Sequence, residues 1–302
     1  MSIRTGLLLA LCWPGLALAT CAPDGWDKTA LLRLKAEGFA IDTAAKAEAD
    51  GDAARQSLAI ALVDCLADPD PELRDGVAFE ALSTWLRKDQ LSEATRRALL
   101  QRLYVELSRP DANGFAAPFA ALVLSEVART DRIRPWLSDD ERAAMVRRAV
   151  DWLAGVRDYR GFDAKEGWRH GVAHGSDWLL QLALNERVPA TDLQAMLPAI
   201  ATQAVPASGH AYVFGESARL ARPLLVIAQR NAMTPAQWSE WFAALPARVG
   251  EPSQAWRDAA WLARRHDAYS LLTGLYWSVD QSGDAALLAL KPGIAEALKR
   301  LP

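Results

Sequence analysis

PELRDGVAFEALSTWLRK, residues 71–88, reads as a helix by spacing alone. Val77, Phe79, Leu82, Trp85 and Leu86 recur at helical steps and gather on one side of a 3.6-residue turn. Asp68-Pro69-Asp70-Pro71 breaks the chain before it and caps its first turn. The same pattern continues outward in both directions. Upstream, KTALLRLKAEG after Asp27 carries Leu31, Leu32 and Leu34 and stops at Gly38. Asp52 to Leu66 sets Leu58, Leu62, Cys65 and Leu66 on one side. Downstream, Ser92 caps a helix to Leu107, and Phe115 to Arg129 follows, with Pro118 tolerated in the first turn. Ser138 and Glu141 form a capping box for a helix running to about Val156.

Further helices are expected over 190–202, 216–230 and 253–276, with a short one from Thr234-Pro235. A last one, 284–301, is interrupted at Pro292-Gly293. No period-two alternation is sustained anywhere, so the chain is all-α, with eleven or twelve helices joined by short polar turns. The Asp-Pro turn followed by Leu-Arg-Asp resembles one HEAT-type helix, a class in which residues like Arg74 and Asp75 knit neighbouring turns together. Trp-Leu recurs at 85, 136, 152, 178 and 261 without a common period. The expected architecture is therefore irregular stacked helical pairs, HEAT-like or α/α superhelical.

The chain has 302 residues, 51% hydrophobic, enough for a large core. Net charge is -3, and no Lys/Arg run forms a basic stripe, which argues against nucleic acid as a partner. Most of the twelve Trp are expected in the core. Residues 1–19 read as a secretory signal: Arg4, an apolar run from Gly6 to Leu18, then Ala17-Leu18-Ala19. Residues 20–302 then form a single all-α domain with no membrane span, exported and expected in the periplasm. Cleavage after Ala19 leaves Cys21 and Cys65, an even pair that reads as a disulfide in an oxidising compartment. The alternative is a lipoprotein anchored through Cys21, since Leu18-Ala19-Thr20-Cys21 is a degraded lipoprotein box. Lipidation would exclude the disulfide.

The chemistry concentrates in DYRGFDAKEGWRHGVAHGSDWLLQ, residues 158–181. With Trp168 to Arg187 as a helix, His170, His174, Asp177 and Gln181 share one narrow stripe. A wet helix face ordinarily carries Lys, Glu and Arg, so this stripe suits a partly enclosed polar seam. Histidines at i and i+4 can share zinc, and a third ligand would come from Glu216, His210 or Asp158. Asp177 lies about 10.5 Å along the axis from His170 and is placed to orient His174. Asp158 and Arg160 are read as a loop clamp or an anion site, and Gly161 as a turn with positive φ. Asp163 and Glu166 are read as a capping box, and Glu216 with Arg219 as an i,i+3 ion pair. No Gly-x-Ser-x-Gly elbow, P-loop or dinucleotide fingerprint is present.

LRDGVAFEALSTWL (73–86), FAAPFAALVLSEVARTD (115–131), the 158–179 stretch and GESARLARPL (215–224) together resemble the bacterial domain of unknown function 2785 family. The resemblance implies an all-helical protein of uncharacterised function and brings no catalytic assignment. The positions matching its pattern are Asp158, Arg160, Gly161, Trp168, His170, His174, Asp177, Glu216 and Arg219. Three functions are consistent with these residues. One is a pocket around His170, His174 and Asp177 that holds a small molecule or peptide. The second is a hydrolase or lyase using the His pair, with or without metal. The third is an interaction scaffold in which the seam fixes helix register. The first is the leading expectation.

Overall fold

The computed structural model describes residues 21, 23–41 and 48–301. The expected leader lies outside the described residues. Helices α1 (Lys28–Ala36) and α2 (Glu48–Cys65) open the chain. The rod α3 comes in three continuous segments, Pro71–Leu73, Arg74–Phe79 and Glu80–Arg87, the middle one π-helical. Then follow α4 (Glu93–Glu106), α5 (Ala116–Ile133) and α6 (Asp139–Gly155). A hairpin of β1 (Phe162–Asp163) and β2 (Gly167–Trp168) interrupts the helices. Beyond it lie α7 (Gly171–Ala183), α8 (Ala190–Ala204), α9 (Glu216–Gln229) and α10 (Pro235–Ala244). The helix α11 (Ala259–Asp280), a single turn at Ala285–Leu288 and α12 (Lys291–Arg300) complete the chain. Twelve helices among the described residues match the all-α expectation.

The helices stack as pairs. α3, α5, α7, α9 and α11 lie side by side in one row. Behind them α2 packs on α4, and α6 on α8, while α10 and α12 close the far end. One hydrophobic cluster runs from Leu31 to Leu301. Trp85, Trp178 and Trp261 are fully buried in it, each contributing at least the roughly 1.5–3 kcal/mol typical of a large apolar side chain. The local signals hold where they are strongest. Asp70, Ser92 and Ser138 accept backbone N–H groups at their helix starts, and Glu141 completes the Ser138 box.

The structure departs from the sequence reading at several places; the last helix, for one, is interrupted at Ala289–Leu290, and Pro292 and Gly293 lie inside α12. The helix expected from Trp168 starts three residues later, because Trp168 pairs with Phe162 across the hairpin. Asp163 caps the hairpin turn, accepting from the N–H groups of Lys165 and Glu166, rather than opening a helix. Gly161 has no positive φ, and its requirement for glycine is steric: a Cβ there would meet the Phe214 ring. The helix expected from Ser253 begins at Ala259, where Asp258 supplies two cap bonds. Trp256, with φ 63°, turns the chain just before it.

Cys21 and Cys65 are joined, which ties the N-terminal segment to the end of α2. With its sulfur in that bond, Cys21 has no thiol to carry a lipid.

Candidate functional site

Arg74 begins the site from a distance. Fully buried in the π-helical turn of α3, it donates to the Asp68 and Glu166 carbonyls and sits 3.8 Å from the Phe115 ring centre. The expected knitting of neighbouring turns is thus a bond from α3 to the hairpin. Arg169 covers Phe115 at 4.1 Å and donates to the Asn113 carbonyl. Asp158 and Arg160 pair with each other, and Arg160 also donates to Asn113. They form the expected clamp on the loop before the hairpin.

The clamp delivers the chain to His170 in a left-handed conformation, φ 56° and ψ 38°. Few side chains adopt it without strain, although histidine is among those enriched there. Its N–H donates to the Arg160 carbonyl, and its own carbonyl accepts from His174 N–H to start α7. The His170 ring stacks on Trp168 at 4.7 Å, and its Nε2 lies 3.5 Å from Glu216 Oε1 on α9. His170 and Glu216 are both buried, but Trp168 is 36% and Phe162 46% exposed. Phe214, against Trp168 at 6.0 Å, is exposed as well. An aromatic cap therefore lies in solvent directly over a buried polar pair.

His174 is closed off. Its Nδ1–H donates to the Pro118 carbonyl, and its ring packs edge-on against Phe119 at 5.4 Å. Burial, with the neighbouring His170, drives its pKa down to about 3, so the ring is neutral at physiological pH. Asp177 does not orient His174, as the sequence suggested. It pairs with Arg219 and lies 3.8 Å from Arg222, both on α9. Burial raises the Asp177 carboxyl against the pull of those guanidinium groups. The expected Glu216–Arg219 pair is absent for the same reason: Glu216 turns to His170 and Arg219 to Asp177. Burial pushes Glu216 up as well, but His170 and the backbone N–H groups of Glu216 and Phe214 outweigh it and hold the carboxyl below its usual range. Gln181, the last of the stripe, accepts from Arg132 on α5. Among the described residues, no group of three His, Cys, Asp or Glu side chains is arranged to hold a metal. His210 stands apart, stacked on Tyr159 at 5.4 Å.

The family model described as protein of unknown function (DUF2785) matches residues 103–277, more than half of the chain. The chain belongs to that family. The matched range takes in the hairpin, α7 and α9, and leaves out Cys21, Cys65 and the 73–86 stretch. No curated protein and no solved structure matches the chain.

Sequence reasoning missed one residue here. Asp267 on α11 is fully buried and accepts the Tyr212 N–H at 2.8 Å. Its signal was present: it stands four and eight residues before Leu271 and Leu275, on the apolar side of its helix.

Proposed function

We propose that this is an exported binding protein whose α7–α9 seam holds a small ligand or a short peptide. The observation that carries the reading is the exposed aromatic cap over the buried His170–Glu216 pair. Exposed aromatic side chains beside a desolvated polar pair supply the two requirements of a recognition site, apolar contact and orientation. Two turns further along α7, two guanidinium groups share the single Asp177 carboxylate. That surplus of positive charge favours a ligand with a flat apolar face and an anionic group, such as an aryl carboxylate or a peptide ending in an aromatic residue. The pairing of Cys21 with Cys65 supports export to an oxidising compartment.

The test is a thermal-shift screen of aryl carboxylates, N-acyl amino acids and dipeptides, followed by calorimetry on the hits. Trp168→Ala and Arg219→Gln are expected to weaken a true hit at least tenfold. Hits that bind both variants as tightly as the wild type would sink the reading, as would a screen without hits.

A further inference from the structure

The loop 205–215 joins α8 to α9 and carries Phe214 to the site. It is fastened at several points. Gly209 lies against Ala260 of α11 so closely that a Cβ would fall 2.3 Å from the Ala260 Cβ. The Tyr212 peptide is held from α11 at both ends: its N–H donates to Asp267, and His266 Nε2 lies 3.3 Å from its carbonyl. Glu216 accepts the Phe214 N–H at 3.0 Å. Gly209 and Gly215, with φ of 70° and 89°, flank the fastened stretch and give it two turning points.

The fastening is incomplete. Asp267 Oδ2 and His210 Nε2 are buried without a hydrogen-bond partner. A buried polar atom in that state is costly, and a group whose charge can change is the least secure of all. Two groups act on Asp267, Tyr212 from the loop and the Glu216 carboxylate from α9. Its helix neighbour His266 reaches Tyr212 instead.

We propose that Asp267 is a positioning residue for the seam: its neutral carboxyl fastens the 205–215 strap to α11, and loss of its proton to water releases the strap and, with it, Phe214. The proposal rests on the binding reading above, but its first test does not. Ionised Asp267 faces buried, ionised Glu216, each carboxylate holding its own strap N–H, and the repulsion between them is relieved when Tyr212 moves and water enters. Burial first, and the Glu216 charge as well, push the Asp267 carboxyl up to about 7, despite the Tyr212 N–H. The change therefore falls in an ordinary pH range.

A nitroxide at Val213→Cys, in a Cys12→Ser background, reports strap mobility; Val213 is 71% exposed, and Cys21 and Cys65 are paired. The label is expected to be restrained at pH 5–6 and mobile at pH 8–9, with one midpoint near 7. Asp267→Asn should stay restrained throughout. Glu216→Gln, which removes the like charge, should move the midpoint to lower pH, and His266→Gln and His210→Gln should leave it in place. Mobility unchanged from pH 5 to 9 overturns the proposal. So does a midpoint that survives in Asp267→Asn, which would assign it to His266 or His210. Should Asp267→Asn fail to fold, an unmoved midpoint in Glu216→Gln, or a midpoint that disappears in His266→Gln or His210→Gln, overturns it equally. Hits from the screen that follow the same midpoint support both readings. Hits indifferent to it, beside a strap that responds, leave the latch standing and remove the seam as the binding site.

Discussion

Asp131 and Asp267 are both aspartates, both buried to 1% exposure or less, and both on helices of the row formed by α3, α5, α7, α9 and α11. Their environments differ in the number of donors and in the sign of the nearest charge. Asp131 accepts from the N–H groups of Trp136 and Leu137, from Arg142 and from Asn185. Burial pushes it up, but these donors outweigh burial and hold it below the usual carboxylate range. Asp267 has one backbone donor and a like charge nearby, and it rises to about 7. Burial alone therefore does not mark a site. The difference between a finished polar junction and a responsive one is how many of its hydrogen bonds are made.

Breaking the finished junction should have the largest effect. Asp131→Ala leaves Arg142, 2% exposed, without its buried partner, and should cost about 3–5 kcal/mol in chemical denaturation at pH 7. A loss below about 1 kcal/mol would mean that Arg142 finds water easily and that the two regions are not different in kind. Because its folded pKa is depressed, the stability Asp131 contributes is present above the ordinary carboxylate pKa and is lost as pH falls below it.

His174 and Asp267 give a second, finer contrast, because their contributions to stability run in opposite directions. His174 falls to about 3 in the folded protein, so its share of stability is present above pH 6.5 and is lost as pH falls toward 3. Asp267 rises to about 7, so its share is present below pH 3.8 and is lost as pH climbs to 7. Between about pH 4 and 6.5 the two oppose each other in the wild type. His174→Ala should cost about 2 kcal/mol at pH 7 through the lost ring and the Pro118 bond. It should also expose the falling Asp267 slope on denaturation at pH 4.5 and 6.5. Asp267→Asn should do the reverse, with stability that rises with pH over that window. At pH 8 it should be about 1–2 kcal/mol more stable than the wild type. Two variants with the same pH profile as the wild type would show that neither group titrates as its surroundings require.

What the sequence made legible follows the same logic of local against distant partners. Ser92, Ser138–Glu141 and Asp70 find their partners within three residues, so the caps could be read directly. The leucines of α2 and the aromatics of α3 announce their faces by period alone. Glu216 and Arg219 misled because a local pair was available and two distant ones won: His170, 46 residues away, and Asp177, 42 residues away. The hairpin was invisible because two-residue strands are too short to show alternation. Gly167, with φ 75° and a Cβ position 2.8 Å from Arg74, marks the turn only once α3 is in place. Of the stripe read as a partly enclosed seam, His170 and His174 are buried, and Asp177 and Gln181 are half-buried. Which member faces solvent was set by α5 and α9, which spacing on α7 does not reveal.

The smallest expected effect is at Arg160. Its pair with Asp158 is about half exposed on the arginine side, so Coulomb attraction is screened and side-chain entropy opposes it. Arg160→Ala should change stability by less than about 1 kcal/mol. The clamp nevertheless ends at the carbonyl that accepts the His170 N–H, so its geometry reaches left-handed His170. If Arg160→Ala leaves the melting temperature in place but weakens binding of the screen's hits, the clamp serves the site rather than the fold. If binding is also unchanged, His170 is held by Trp168 and Glu216 alone, and the contrast that matters lies wholly between α7, α9 and α11.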